Sequence, residues 1–547
     1  MNKENIPLLI NTSNKFGMYK YVLKYLKRYK FKIILMVALS ILVSIINIID
    51  PYIISIYMDT LIYNIENLNI KEFILVIIVL NLLDLIVKYI KNIIIVIVSN
   101  RTVFNMIYDI FEHIKRLSIE YLRNKDMVYL NQRVNTDCNE ITMFVINNIL
   151  NIFLNAITII VILVMIININ LKISLTLFSV IPLYFVCYSF YKKKLYKYSN
   201  EVKEIQNIYF SRLTDQLKSI RMIKLNSCFN FFSNLMIDSF NRFFKKNLRA
   251  SICNSNFNAF GDIISNISTL ILLFLGFYEI YKGSLTIGEF LVFNNLFPLL
   301  IQNIDYFFQL GSNYQKALAS YNRIVEILNE KEETNGTKNI KSIDTIKCKD
   351  INYFFGEQKI IKNFSFEFKK GNIYKICGLN GKGKTTLVNI IAGLYSNHDG
   401  KIFYNDIDIN ELNIYNLRKH NFAISEQEPR LITDSILNNI SLGNSDIDKN
   451  CILDYMNTFN VKKFSLEYLI SEDNINISGG EKQKISLIKC LCKDSDVIIL
   501  DEPTSALDSE SINKLKDILV QIKKEKIILL VAHGDFGVDI SDEEILI

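Results

Sequence analysis

The chain has 547 residues, room for two or more domains, and is 50% hydrophobic with only 21% charged residues. That balance, with a mean hydropathy of +0.21, excludes a protein that is soluble throughout its length. The net charge of +7 invites a nucleic-acid reading, but the lysines crowd the ends of apolar runs (20–32, 192–197, 245–249), as in the cytosolic flanks of membrane segments, and nucleic acid is set aside as a partner.

In chain order, residues 1–30 form a polar, basic segment too short for an accessory enzymatic domain. The apolar run behind it continues too far for a cleavable signal peptide. About six apolar runs follow, near 31–62, 72–100, 141–168, 171–191, 257–281 and 289–312. Each is long enough to cross a bilayer, which takes about 20 helical residues. Short connections (64–72, 168–170, 281–288) alternate with long basic ones (101–140, 192–256). That asymmetry predicts a multi-pass protein of the cytoplasmic membrane with both termini in the cytosol. The long connections keep helical periodicity, so helices are expected to run past the membrane toward a soluble partner.

Polar residues punctuate these runs: Asp50, the pair Asp84 and Lys88, and Asn294, Asn295, Gln302, Asn303 and Asp305 in the sixth. A charge near mid-bilayer costs roughly 2.5–3.5 kcal/mol, so these groups should face the bundle interior. They either line a path for cargo such as a peptide or hydrogen-bond between helices. Asp84 and Lys88, spaced i, i+4, are expected to satisfy one another. Nine scattered cysteines and four distant histidines (His113, His398, His420, His533) offer neither a metal-ligand spacing nor a disulfide framework.

A polar linker, 329–341, separates residues 31–328 from a soluble segment, 342–547, which opens with short strands near 345–355, 364–368 and 373–377. The third runs into Gly378-Leu379-Asn380-Gly381-Lys382-Gly383-Lys384-Thr385-Thr386 and then a helical stretch. Strand, glycine-rich turn and helix in that order bind a nucleoside triphosphate. Backbone N–H groups turn in on the phosphates, Lys384 reaches the β/γ-phosphates, and Thr385 offers its hydroxyl to Mg²⁺. Further on, Val497-Ile498-Ile499-Leu500 leads into Asp501-Glu502, and a run over 527–531 stops just before His533. Such runs suit buried parallel strands, whose C-terminal ends carry the ligand. Asp501 is expected to help hold Mg²⁺ and Glu502 to polarise an attacking water.

Ile477-Ser478-Gly479-Gly480-Glu481, about 20 residues before Asp501, resembles the signature sequence of ABC transporter ATPases, and the resemblance extends over nearly the whole chain. Phe355 falls where the family stacks an aromatic ring on adenine, and Gln427 matches its Q-loop glutamine, near the metal and the attacking water. Glu472-Asp473-Asn474 falls at an acidic loop that touches the membrane domain, Asp508 in the D-loop, and His533 at the switch histidine. The membrane half resembles the exporter type. Leu122-Arg123-Asn124-Lys125 through Asp137 is similar to its first coupling loop, and residues 213–224 to its second.

The resemblance implies an α-helical transmembrane bundle of about six helices followed by an α/β phosphate-loop ATPase domain. It also implies ATP and Mg²⁺ as cofactors, and a half-transporter that dimerises head to tail, with itself or with a sister chain. The phosphate loop of one copy would face Ser478 and Gly480 of the other, and ATP-driven closure would turn a membrane cavity outward to export a peptide, lipid or drug-like molecule. A membrane-anchored regulatory ATPase and an importer built on the same fold are the alternatives. Three departures stand out. Glu481 replaces the usual glutamine and brings a negative charge toward the phosphates, though some active members also carry Glu there. Val128, Ser219 and Asn474 replace glycines, and the closing strands and helices after His533 are expected to be missing.

Overall fold

The computed structural model describes residues 17–63, 70–123, 125, 127–379, 381–444, 447–461, 463–471, 476–505, 507–532 and 536–547. They fall into two compact units, Met1–Glu112 with Val128–Asn329, and His113–Met127 with Glu330–Ile547.

The first unit holds six segments long and apolar enough to cross a membrane. They are built on helices α1 (Lys30–Tyr63), α2 (Ile70–Ile114), α3 (Met127–Ile169), α4 (Ile181–Lys218), α5 (Phe229–Tyr281) and α6 (Ile287–Leu328), and a short helix, Leu171–Phe178, leads into α4. Isoleucine is a mediocre helix former in water, but a bilayer offers the backbone no other donors or acceptors, so a spanning segment closes its bonds as a helix. Ile162 and Ile166 of α3, Leu272 of α5, and Phe293, Leu296 and Leu300 of α6 form part of one buried core. At one end, Asp59 of α1 accepts hydrogen bonds from Thr286 Oγ1 (2.7 Å) and Gly288 N (2.8 Å), fixing the start of α6. Thr286 and Glu289 form a capping box there. The expected pair forms, with Lys88 Nζ 2.5 Å from Asp84 Oδ2.

Among its described residues the second unit contains nine strands in two sheets. β1 (Thr345–Phe355), β2 (Gln358–Lys369), β4 (Asp399–Tyr404) and β5 (Ile407–Asp408) form an antiparallel sheet in the order β2-β1-β4-β5. β3 (Ile373–Cys377), β6 (Phe422–Ser425), β7 (Val497–Asp501), β8 (Ile527–Val531) and β9 (Glu543–Leu546) form a parallel sheet in the order β6-β7-β8-β3-β9. Every residue of β7 and β8 is buried, as their unbroken apolar sequences require. Helices α7 (Lys384–Ile391), α8 (Gly479–Leu491) and α9 (Ser509–Ile522) pack on this core.

Two features differ from the sequence expectation. A closing strand is present: β9 pairs with β3, with Ile545 opposite Ile376 and Leu546 opposite Cys377. The stretch read as a linker is packed rather than free: Arg418 Nη2 donates to Glu333 Oε2 (2.7 Å), Ile414 N to Asn335 Oδ1 (2.7 Å), and Gly336 N to Leu412 O (2.8 Å). Residues 113–127 join the same unit. His113 Nδ1 lies 3.1 Å from Glu332 Oε1, and Glu333 N donates to Arg116 O at 2.8 Å.

In the first unit, Asp137 of α3 is 2% exposed and accepts from Arg323 of α6, with Nε at 2.9 Å. Asp137→Ala would leave that guanidinium without its buried partner. Because Arg323 is 39% exposed and can rehydrate, the cost should lie near the low end for such pairs, about 3 kcal/mol. Thermal unfolding of the full chain in detergent checks it, and an unchanged midpoint would contradict this role.

Candidate nucleotide site

The site forms where β3, β7 and β8 end side by side. After β3 the chain turns through Gly378 (φ 154°) and Gly383 (φ 100°). A Cβ at Gly378 would lie 2.8 Å from Ile547 O, and one at Gly383 would lie 2.6 Å from Ile360 Cγ2 of β2. Both the backbone angles and the close neighbours therefore demand glycine here. Gly383 caps α7, whose first residue, Lys384, is only 6% exposed. Its ammonium donates to the carbonyls of Gly378 (3.0 Å) and Leu379 (3.3 Å), holding a cation inside the curve of the loop.

Thr385 Oγ1 donates to Asp501 Oδ2 at 2.7 Å. Asp501 ends β7 and is 5% exposed. Its other oxygen, Oδ1, is buried with no hydrogen-bond partner among the described residues. Burial raises the Asp501 pKa, the Thr385 hydroxyl pulls it down, and the neighbouring Glu502 carboxylate adds to the rise. An orphaned carboxylate oxygen beside a threonine hydroxyl is an all-oxygen donor set, the kind Mg²⁺ prefers, so these residues fit that ion.

Glu502 leaves the strand with φ 47°, a left-handed conformation uncommon for any residue but glycine, and its N–H donates to Val531 O at 2.8 Å. Strain of this kind concentrates at working sites. The turn carries the Glu502 side chain clear of the sheet, where Gln427 Nε2 donates to its Oε2 at 2.6 Å.

Ser478 caps α8 in a reciprocal box. Ser478 N donates to Glu481 Oε2 (2.8 Å) and Glu481 N to Ser478 Oγ (3.4 Å). Glu481 also pairs with Lys463. Burial acts to raise its pKa, but the Lys463 ammonium and the Ser478 bonds outweigh that and hold it below the usual range. The negative charge that looked out of place is thus half of a helix cap, and it has its own counter-ion. Asp508 caps α9 through Ser511 N (2.8 Å) and accepts from Lys484 of α8 (2.6 Å), which holds its pKa far below the ordinary value.

Sequence reasoning missed the contacts of two residues. Gln483 is 1% exposed and donates to Glu502 O (2.9 Å) and Ser505 Oγ (3.1 Å), tying the signature helix to the strand end. Its position with Ser486 and Cys490 on one buried face of α8 was the available signal. Arg123 lies with its guanidinium carbon 4.9 Å from the Phe355 ring centroid, and nearby Tyr353 Oη donates to Glu120 Oε1 at 3.3 Å. No local pattern announces a contact across more than two hundred residues. Asn380, His533 and Glu472-Asp473-Asn474 lie outside the described residues.

A phosphate loop on β3, an acid ending the buried strand two places away, and a serine-capped helix tied to that strand end define a nucleotide-binding ATPase, joined here to six membrane-crossing helices. Residues 33–304 match the family described as ABC transporter transmembrane region, and residues 361–505 the one described as ABC transporter. The chain belongs to the ABC transporters. It is 24% identical over 469 residues to an ATP-dependent lipid A-core flippase of Vibrio vulnificus (strain CMCP6), covering 82% of this chain and 79% of that one. It is 26% identical over 532 residues to a multidrug resistance-like ATP-binding protein, MdlA, of Buchnera aphidicola subsp. Baizongia pistaciae (strain Bp), covering 94% and 90%. A solved bacterial Atm1-family ABC exporter with ATP bound shares the fold with a TM-score of 0.80 at 17% identity, covering 95% of this chain and 93% of that one.

Replacing Glu481 separates its two bonds. Glu481→Gln keeps the capping box and loses only the pair with Lys463, whose side chain is 65% exposed, so it should cost no more than about 1 kcal/mol. Glu481→Ala loses the cap as well and should cost about 1–2 kcal/mol. Unfolding of the two variants side by side tests the order, and equal midpoints would remove the cap from the account.

Proposed function

We propose that this chain is one half of a dimeric exporter that hydrolyses ATP in the cytosol to move cargo outward across the cytoplasmic membrane, with both termini on the cytosolic side. The observation that carries the reading is the convergence of Lys384, Thr385, Asp501, Gln427 and Glu502 on the ends of adjacent strands. Phe355, 47% exposed, supplies a ring for adenine. The loop from Gly378 to Thr386 turns its N–H groups on the phosphates. Lys384 exchanges the carbonyls of Gly378 and Leu379 for phosphate oxygens, so its charge stays compensated in both states.

Thr385 and Asp501 would hold Mg²⁺, with Gln427 beside them, and the ion when bound supplies positive charge against the phosphates. Glu502 takes a proton from the attacking water, and Gln427, which donates to its Oε2, orients the carboxylate. His533 is assigned to the γ-phosphate by family resemblance.

One phosphate loop and one signature per chain cannot enclose a nucleotide in the family's head-to-tail manner, so the working unit is a pair of half-transporters. Ser478, Gly479 and Gly480 lead the N-terminus of a 13-residue helix, and its dipole and free N–H groups suit the γ-phosphate across the pair. The Asp508 of each chain would lie at the same seam. ATP favours the closed pair because only that state makes both sets of contacts, and hydrolysis withdraws the preference.

Glu502→Gln should leave ATP binding nearly intact and lower turnover by ~10² or more in lipid-reconstituted protein. Parent-like hydrolysis by that variant would remove Glu502 as the base. Lys384→Ala should weaken nucleotide binding and abolish ATP-dependent cargo accumulation in inside-out vesicles. An unchanged ATP affinity would contradict its phosphate contact.

A further inference from the structure

Polar side chains within the membrane-crossing helices fall into two groups. Some close their hydrogen bonds inside the protein: Asn81 donates to Ile77 O (2.9 Å), Asn295 to Leu291 O (2.8 Å), Asn303 to Leu299 O (2.6 Å) and Tyr306 to Asn148 Oδ1 (2.6 Å). Others have no hydrogen-bond partner among the described residues, among them Asn92, Asn147, Asn151, Asn266 and Asn294, and also Asn47 of α1, Asn155 of α3 and Gln302 of α6, which differ in sharing one cavity. These three line one cavity of about 300 Å³, together with Ser44, Thr158 and Tyr306, and no charged side chain takes part in the lining. Pro51, four residues after Asn47, also offers no N–H to the Asn47 carbonyl, leaving a further acceptor in that turn.

Three open carboxamides gathered at one cavity in a membrane bundle, with Asn47 and Gln302 exposed to it, can bond an occupant that enters. Each presents one acceptor and two donors, the functional group of the peptide backbone itself. A charged group entering this lining would lose its hydration with no counter-charge opposite, which disfavours phosphorylated or ionised cargo at this point. The polar groups come in pairs one helical turn apart: Ser44 and Asn47, Asn155 and Thr158, Gln302 and Tyr306. They run as stripes along three helices rather than converging on a point, an arrangement that suits an extended chain better than a sugar ring. The volume sits at the small end for ligand pockets and takes a few residues, not a folded body.

We propose that this cavity is a cargo site for an uncharged stretch of peptide, whose backbone amides complete the bonds that Asn47, Asn155 and Gln302 leave open. The assignment rests on the export reading and supplies the cargo class that reading leaves open.

The chain contains no tryptophan, so a tryptophan in the cargo reports binding without background. The probe is an acetylated, amidated Ala-Ser-Trp-Ser-Ala peptide, titrated against full-length protein in lipid vesicles. Two further versions carry one Glu or one Lys in place of a serine. The neutral peptide should bind at least tenfold more tightly than either charged version and should stimulate ATP hydrolysis. Asn155→Leu and Gln302→Leu should each weaken it by about three- to tenfold. Asn155→Ser, which keeps a donor and an acceptor, should restore much of the loss and guards against a misfolded leucine variant. Equal binding of the charged peptides, tighter binding of a neutral glycolipid such as monoglucosyl diacylglycerol, or no binding of any peptide would each overturn the assignment. Parent protein that hydrolyses ATP and moves other cargo while ignoring every peptide defeats this site alone, whereas parent protein that hydrolyses no ATP defeats the export reading beneath it.

Discussion

An acid at the end of a strand buried on both faces is the constraint from which the nucleotide site follows. Asp501 sits between β6 and β8 with 5% of its surface exposed, where a bare carboxylate is costly. The fold offsets one of its oxygens with the Thr385 hydroxyl and leaves the other open. That arrangement needs β3 to deliver the phosphate loop two strands away, with β8 as spacer, and the parallel order β7-β8-β3 does so. The same strand end forces Glu502 into its left-handed turn, because the Glu502 N–H must still reach Val531 O. The adjacent carboxylates of Asp501 and Glu502 thus take different partners, Thr385 and Gln427.

The signature helix is bound to this point rather than merely near it. Gln483 reaches the Glu502 carbonyl and Ser505, and Lys484 reaches Asp508 at the start of α9. Strand end, signature helix and the start of α9 are therefore tied to one another by side-chain hydrogen bonds. Arg123 makes a comparable link on the other flank, where a short helix from residues 113–127 rests on the ring assigned to adenine.

Much of this was legible in the sequence, because the informative patterns are local. Six apolar runs separated by short and long connections located α1 to α6. An apolar strand, a glycine-rich turn and a helix located Lys384 and Thr385, and Val497 to Leu500 before Asp501 identified β7. What escaped depends on contacts between distant segments. Residues 330–341 look like a tether in composition, yet Asn335 and Gly336 are fixed by partners near residue 412, which no local window contains. The final strand was missed because Glu543-Glu544-Ile545-Leu546 is short and half acidic, and its strand character comes from the edge of β3. Glu481 was read as a charge facing phosphate because its cap to Ser478 is local but its neutralising partner, Lys463, is not.

The strand over residues 543–546 has a practical side. It occupies the edge of β3, an apolar row that would otherwise template pairing with another chain, and Ile547 N bonds to Cys377 O at 3.0 Å beside Gly378. Trimming these residues would uncover an aggregation-prone edge beside the glycine turn that follows β3.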